Sequence, residues 1–336
     1  MEPLKPVAAP RRVLVTGAGG YVGANTVARL LSDPAVAEVC AAVRTDEAAR
    51  TVRGWFPGQS RLRLAVGELP SRPWDLHGLD TVVHAAAWIS LRASSGPAAR
   101  FDEINAAGTR SLLEDARAAG VSRFVFLSSQ AAYGVSRPPP WTEDSPLAPE
   151  TDYARSKVAA EQACLEQSAG GVPVVILRLA RVYGAGLAMR WEEVLPKFAL
   201  LTASGRPMTV HGGGRERVDL VHIRDVTEAI ARAATRPALP SPLVLNIGGG
   251  ATRSILELAE TFRSQARGLG LTPPALDHQA AASTTVRQWG MELSRAAACL
   301  GWKPAVFTEE GIVELLQLAL ARPASPDAGY TPAPAP

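Results

Sequence analysis

Arg12-Val-Leu-Val-Thr16-Gly17-Ala-Gly19-Gly20-Tyr21-Val22-Gly23 is the stretch on which the fold turns. Its first half is short and apolar and reads as a strand. Val22 to Leu31 reads as a helix, and the glycines between them make the turn. Glycine permits the tight reversal and lets a pyrophosphate approach the backbone N–H groups at the helix N-terminus. The spacing is Gly-x-x-Gly-x-x-Gly, with Val22 where the last glycine of Gly-x-Gly-x-x-Gly would stand. A strand before and a helix after favour a dinucleotide site over a plain tight turn.

The pattern repeats outward from there. Glu38–Val43, Leu62–Val66, Thr81–Ala85, Phe124–Ser128 and Val174–Leu179 read as further strands, with long amphipathic helices at about 100–119 and 153–168. Strands that are apolar throughout and separated by helices mark a parallel sheet covered on both faces. The expected fold is α/β: a doubly wound parallel Rossmann sheet with a smaller mixed, mostly helical substrate lobe. The sheet domain is assigned to 11–184 with return segments at about 219–248, and the lobe to 185–218 and 249–322. Residues 1–10 and 323–336 are rich in proline and alanine and read as disordered tails.

Bulk properties narrow the class. Of 336 residues, 47% are hydrophobic and 20% charged, as in an ordinary soluble protein. No apolar run approaches the length of a membrane span, and the N-terminus lacks a signal-peptide core. A net charge of +3 with interspersed signs does not suggest a nucleic-acid partner. Cys40, Cys164 and Cys299 are far apart, which fits a reducing cytoplasm and gives neither a metal site nor a disulfide framework.

Two local readings bear on chemistry. Tyr153 and Lys157 stand one helical turn apart on one face, a geometry in which an ammonium can lower a phenol's pKa toward neutrality. Beside a nicotinamide, such a tyrosine serves hydride chemistry on a C–OH/C=O pair. Past the second strand comes Arg44, where a carboxylate would ordinarily accept the ribose 2′-hydroxyl of NAD. Arg44 suits a 2′-phosphate, so NADP(H) is favoured over NAD(H). The plain alternative is a surface arginine capping a strand end.

Several segments, in order, resemble the extended short-chain dehydrogenase/reductases, the NAD-dependent epimerase/dehydratase family. They are Thr16–Gly23, Asp80–Ala87, Asn105–Thr109, Leu127–Gly134, Tyr153–Lys157, Leu177–Gly184, Asp219–Asp225 and Leu300–Pro304. The resemblance implies Tyr153 as general acid/base, Lys157 holding the nicotinamide ribose, and Ser129 bonding the reacting oxygen. It implies a cofactor lined by Gly17, Gly19, Gly20, Tyr21, Val22, Gly23, Arg44, Glu68, Leu69, Ala85, Ala86 and Ala87, besides Tyr153 and Lys157. Asp80, His84 and Asn105 read as support. The family's four-helix homodimer is open to this chain, and so is a monomer.

The reaction is less determined. The family's dehydratases carry an Asp-Glu pair after the catalytic Ser/Thr, where this chain has Gln130-Ala131, so dehydration is disfavoured. Epimerases often carry asparagine where Arg181 stands. Trp88, Ser129, Gln130, Arg181, Met189 and Trp191 are the substrate-site candidates; Trp141 could join an apolar pocket, and Arg190, Arg215 and Arg217 a pyrophosphate clamp. The leading expectation is an NADP(H)-dependent oxidoreductase of a secondary alcohol or ketone. The alternatives are a nucleotide-sugar 4-epimerase and a non-catalytic dinucleotide sensor.

Overall fold

The computed structural model describes residues 11–71, 74–89, 98–280 and 286–322. Seven parallel strands form the main sheet: β1 (Arg11–Thr16), β2 (Val36–Val43), β3 (Leu62–Val66), β4 (Thr81–His84), β5 (Arg123–Ser129), β6 (Val174–Leu179) and β10 (Leu243–Ile247). Their order is β10-β6-β5-β4-β1-β2-β3, so the chain reverses its direction of winding between β1 and β4. That reversal opens a crevice at the carboxyl ends of the strands, where ligands bind in doubly wound sheets.

Alternation along β1 divides the core. Val13 and Val15 pack with α1 (Tyr21–Leu31) and α7 (Ile223–Thr235) on one face. Leu14 packs on the other with α4 (Gly108–Ala118) and α5 (Asp152–Ala169). The helix α2 (Asp46–Trp55), begun by the Thr45 cap, links β2 to β3. Ahead of α4 the chain makes one short helix, α3 (Ala98–Phe101), and a wide π turn at Asp102–Ala107.

A separate apolar cluster joins α6 (Val194–Ala203), α8 (Ile255–Gly268) and α10 (Thr308–Leu320) through Phe198, Phe262 and Leu315. Its small sheets are β11-β9-β7 (Thr252–Ser254, Arg217–His222 and Arg181–Tyr183) and the parallel pair β12-β8 (Leu276–Gln279, Met208–His211). α9 (Ser294–Leu300) packs back beneath β10. Among the described residues no helix is long and apolar enough to cross a membrane, and no cluster of metal-ligating side chains is present.

One buried cation braces the sheet. Arg123, at the start of β5, donates to the carbonyls of Ala233, Ala234, Arg236 and Pro237 at the end of α7. Burial and the nearby Arg11 guanidinium lower it to about 10, still charged at neutral pH. Arg123→Met leaves those carbonyls without their donor. It is expected to cost about 2 kcal/mol, read as a lower denaturation midpoint at unchanged slope.

Candidate active site

At the end of β1, the glycine turn is fixed by two close approaches. Gly17 has φ +68°, and a side-chain carbon there would lie 2.8 Å from Ala86 Cα. At Gly23 it would lie 2.1 Å from the Gly17 carbonyl oxygen. Helix α1 starts at Gly20 with no side-chain cap and no acid in its first turn. Its first N–H groups are therefore available to an anion, and the helix dipole favours one. Thr16 Oγ1 accepts from Ala86 N at 3.1 Å, seating the Ala85–Ala87 segment against the turn. These features fit the pyrophosphate of a dinucleotide.

The Tyr21 hydroxyl donates to the Gly184 carbonyl at 2.7 Å. Val22 is partly buried against the core. Asn25, unanticipated from the sequence, donates to the Tyr21 and Leu187 carbonyls and accepts from Leu187 N at 3.1 Å. It ties the start of α1 to the loop after Gly184. Its position one turn into that helix was the available signal.

Arg44 lies exposed just past β2, and among the described residues it takes part in no ion pair. Next to it, Thr45, Glu47, Ala48 and Thr51 join Gly19 in lining a cleft of about 280 Å³. Asp46 and Glu47 both occupy the first turn of α2. Past β3, Glu68 is exposed and Leu69 buried.

Ser129 ends β5, Tyr153 opens α5 behind the Thr151 cap, and Lys157 follows one turn on. Ser129 lies close enough to the Tyr153 phenol to ease its ionisation, and its Oγ accepts from Ala131 N at 3.2 Å. Lys157 Nζ donates to the Leu127 carbonyl at 2.8 Å and sits 6.0 Å from the Tyr153 ring centroid. With Nζ turned to the Leu127 carbonyl, the ammonium does not outweigh the burial of the phenol. Burial pushes Tyr153 up to about 12, and the nearby Ser129 hydroxyl is what opposes it. Burial likewise brings Lys157 down to about 8, against the raising influence of Cys164 and Glu161.

A hydrogen-bond chain supports this trio from behind. His84 bonds Thr16 at 2.7 Å and Thr109 at 3.0 Å, and burial lowers it to about 3, so it is neutral. Asn105, inside the π turn, donates to Ser156 Oγ at 3.0 Å, and Ser156 donates to the Tyr153 carbonyl at 2.8 Å. Asn105 also exchanges bonds with both backbone groups of Trp88. Asp80 accepts from Arg12 N at 2.7 Å at the far end of β1.

The substrate candidates separate. Ser129 and Gln130 are adjacent at the end of β5, and the Gln130 carboxamide oxygen is buried with no hydrogen-bond partner. Trp88 is partly buried beneath the Arg100 guanidinium, 4.3 Å from its ring centroid. Arg181 is exposed. Met189 and Trp191 pack on the cluster of α6, α8 and α10. Trp141 is 2% exposed and stacked on Tyr133, a core position and not a cleft wall. Arg217 is held by Thr252 and Glu257. It is a brace between β9, β11 and α8, not part of a clamp. Arg190 and Arg215 are exposed.

Fold and site together define an extended short-chain dehydrogenase/reductase. The chain belongs to the NAD dependent epimerase/dehydratase family, whose pattern matches residues 13–248. It is 30% identical to a dTDP-glucose 4,6-dehydratase of Streptomyces griseus over 309 residues, covering 89% of this chain and 91% of that one. The solved structure of MoeE5 in complex with UDP-glucuronic acid and NAD is 29% identical with a TM-score of 0.77, covering 91% of this chain and 98% of that one. A UDP-glucuronic acid 4-epimerase from Bacillus cereus shares the fold at 22% identity and a TM-score of 0.80, covering 92% of this chain and 98% of that one.

Proposed function

We propose that this protein is an NAD-dependent 4-epimerase of a nucleotide-linked hexose. The observation that carries the reading is Gln130. Where the family's dehydratases present an acid, this chain presents a buried carboxamide with an unpartnered oxygen. A carboxamide can orient a sugar hydroxyl but cannot supply the proton that would expel it as water. Relatives that hold UDP-glucuronic acid and NAD support a nucleotide sugar over the simple ketone or alcohol expected at first.

A bound nicotinamide would accept a hydride from the sugar and return it to the opposite face. Tyr153 takes the proton of the sugar hydroxyl and later gives it back. Ser129 donates to the same oxygen and fixes its distance from the phenol. Lys157, as an ammonium, stabilises the phenolate. The glycine turn and the uncapped start of α1 hold the pyrophosphate.

Incubation with UDP- and dTDP-hexoses is expected to give a product of unchanged mass, with the sugar inverted at one carbon by NMR and no net NADH formed. A product lighter by one water, or stoichiometric consumption of a reduced cofactor, rejects this reading.

The cofactor reading shifts with it, from NADP(H) to NAD. A 2′-phosphate entering the cleft beside Gly19 would meet the Glu47 carboxylate. NAD is expected to bind about tenfold or more tightly than NADP, with Glu47→Gln narrowing the gap. Exposed Arg44 favours the second reading, an NADPH-dependent reductase. Tighter binding of NADP, lost in Arg44→Ala, would establish that one instead.

A further inference from the structure

Lys157 and Glu161 lie four residues apart on α5, on one face, and reach adjacent residues at the end of β5. Lys157 Nζ donates to the Leu127 carbonyl, and Ser128 Oγ donates to Glu161 Oε1. Lys157 is 3% exposed and Glu161 2%. The same carboxylate is gripped by Arg178 of β6, itself 5% exposed. Arg178 Nε approaches both oxygens at 3.0 and 3.2 Å, and Nη2 donates at 2.7 Å. Arg178 also donates to the Tyr133 hydroxyl and the Glu143 carbonyl, fixing its orientation.

Two cations buried this deeply need a compensating anion. Around Lys157, α5 offers Tyr153, Glu161 and Cys164; β4 offers His84; β5 offers the Phe126 ring and the Leu127 carbonyl. Arg178 stands behind Glu161. Burial keeps the Cys164 thiol and the His84 ring uncharged at neutral pH. The Glu143 carboxylate is turned to Asn246 N and Arg295. Glu161 therefore pairs with Arg178 directly and acts on Lys157 from one turn along α5, and among the described residues no other carboxylate does both.

We propose that Glu161 is a positioning residue of the Ser129–Tyr153–Lys157 site, the carboxylate that keeps Lys157 charged in its buried seat and pins that seat to β5. The proposal rests on the trio being the site of the proposed function. Its simpler rival is a brace that joins α5 to β6 and leaves Lys157 indifferent.

The chain has four lysines, so isotope-labelled lysine with Lys157→Arg for assignment gives the Lys157 titration by NMR without any turnover. In Glu161→Gln the Lys157 midpoint is expected to fall by about one unit or more, because a neighbouring opposite charge is lost. The alkaline limb of kcat should move down with it while KM changes less than about twofold, and Glu161→Asp should restore most of both. A folded Glu161→Gln protein with an unmoved midpoint and pH profile overturns the proposal.

Arg178→Met covers the case in which Glu161→Gln does not fold. Removing the competing cation should raise the Lys157 midpoint, and no movement would again overturn the proposal. If the wild-type chain fails to epimerise any nucleotide sugar while the Lys157 shifts appear as expected, the reaction assignment fails and the role of Glu161 stands.

Discussion

Tyr153→Phe is expected to lower the epimerisation rate by about 10²–10⁴-fold while leaving NAD and nucleotide-sugar affinity nearly unchanged. The phenylalanine ring keeps the packing against Phe101, whose centroid lies 6.4 Å from that of Tyr153. What it removes is the one hydroxyl that Ser129 orients toward the reacting oxygen. A loss confined to kcat identifies a group that acts in the transition state, and a matching rise in KM would point to ordinary binding.

The pH profile carries a second signature of the same residue. With burial holding Tyr153 at about 12, its phenol is neutral at pH 7 until a positive charge is brought near. Rising pH favours the phenolate and therefore proton abstraction. Rising pH through about 8 also discharges Lys157, which withdraws one of the charges that stabilise it. Activity is expected to climb from acid pH and turn down above about 8. In Lys157→Met, phenolate formation should instead continue to higher pH, at a much lower rate. A profile that stays flat through both regions would remove Tyr153 from the proton transfer.

Local pattern carries information where the structure is local. The glycine turn, the apolar strands β1 to β6 and the Tyr153–Lys157 face were legible because each is set by residues within a few positions of one another. β10 lies in the return segment assigned to the sheet domain, and its place at the sheet edge follows from pairing with β6. The small sheets were not legible. β7, β8, β11 and β12 are three or four residues long, and their partners are far away in sequence. Helix α2 carried a local signal of its own, the Thr45 cap followed by the acids Asp46 and Glu47, beside the Arg44 that was read for the cofactor.

The site shows the same division. Spacing placed Tyr153 beside Lys157 but could not say that burial would outweigh the ammonium. Glu161 stood in plain view at the next turn of the same face. Its meaning depends on Arg178 and Ser128, which belong to other strands and meet it only in the folded chain. Trp141 and Arg217 were read as cleft residues from composition, and tertiary packing assigned both elsewhere.

The second large effect concerns the turn itself. Gly23→Ala is expected to abolish measurable NAD binding and to destabilise the protein by about 3 kcal/mol. The added carbon would sit 2.1 Å from the Gly17 carbonyl oxygen and 2.7 Å from its carbonyl carbon, both backbone atoms. Relief requires α1 to lift away from the turn, and the N–H groups at its start then no longer converge on one phosphate. Nor can Gly17 yield, since its own space is closed by the Ala85–Ala86 backbone. Gly19→Ala is the control, because the nearest atom to its added carbon is the Ala48 side chain at 3.8 Å. That variant should fold with wild-type stability and weaken NAD only as far as the methyl group crowds the approaching pyrophosphate. Calorimetric titration with NAD and thermal denaturation of both variants read the two effects separately. If Gly23→Ala bound NAD as Gly19→Ala does, the packing of α1 on the turn would not be what shapes the site.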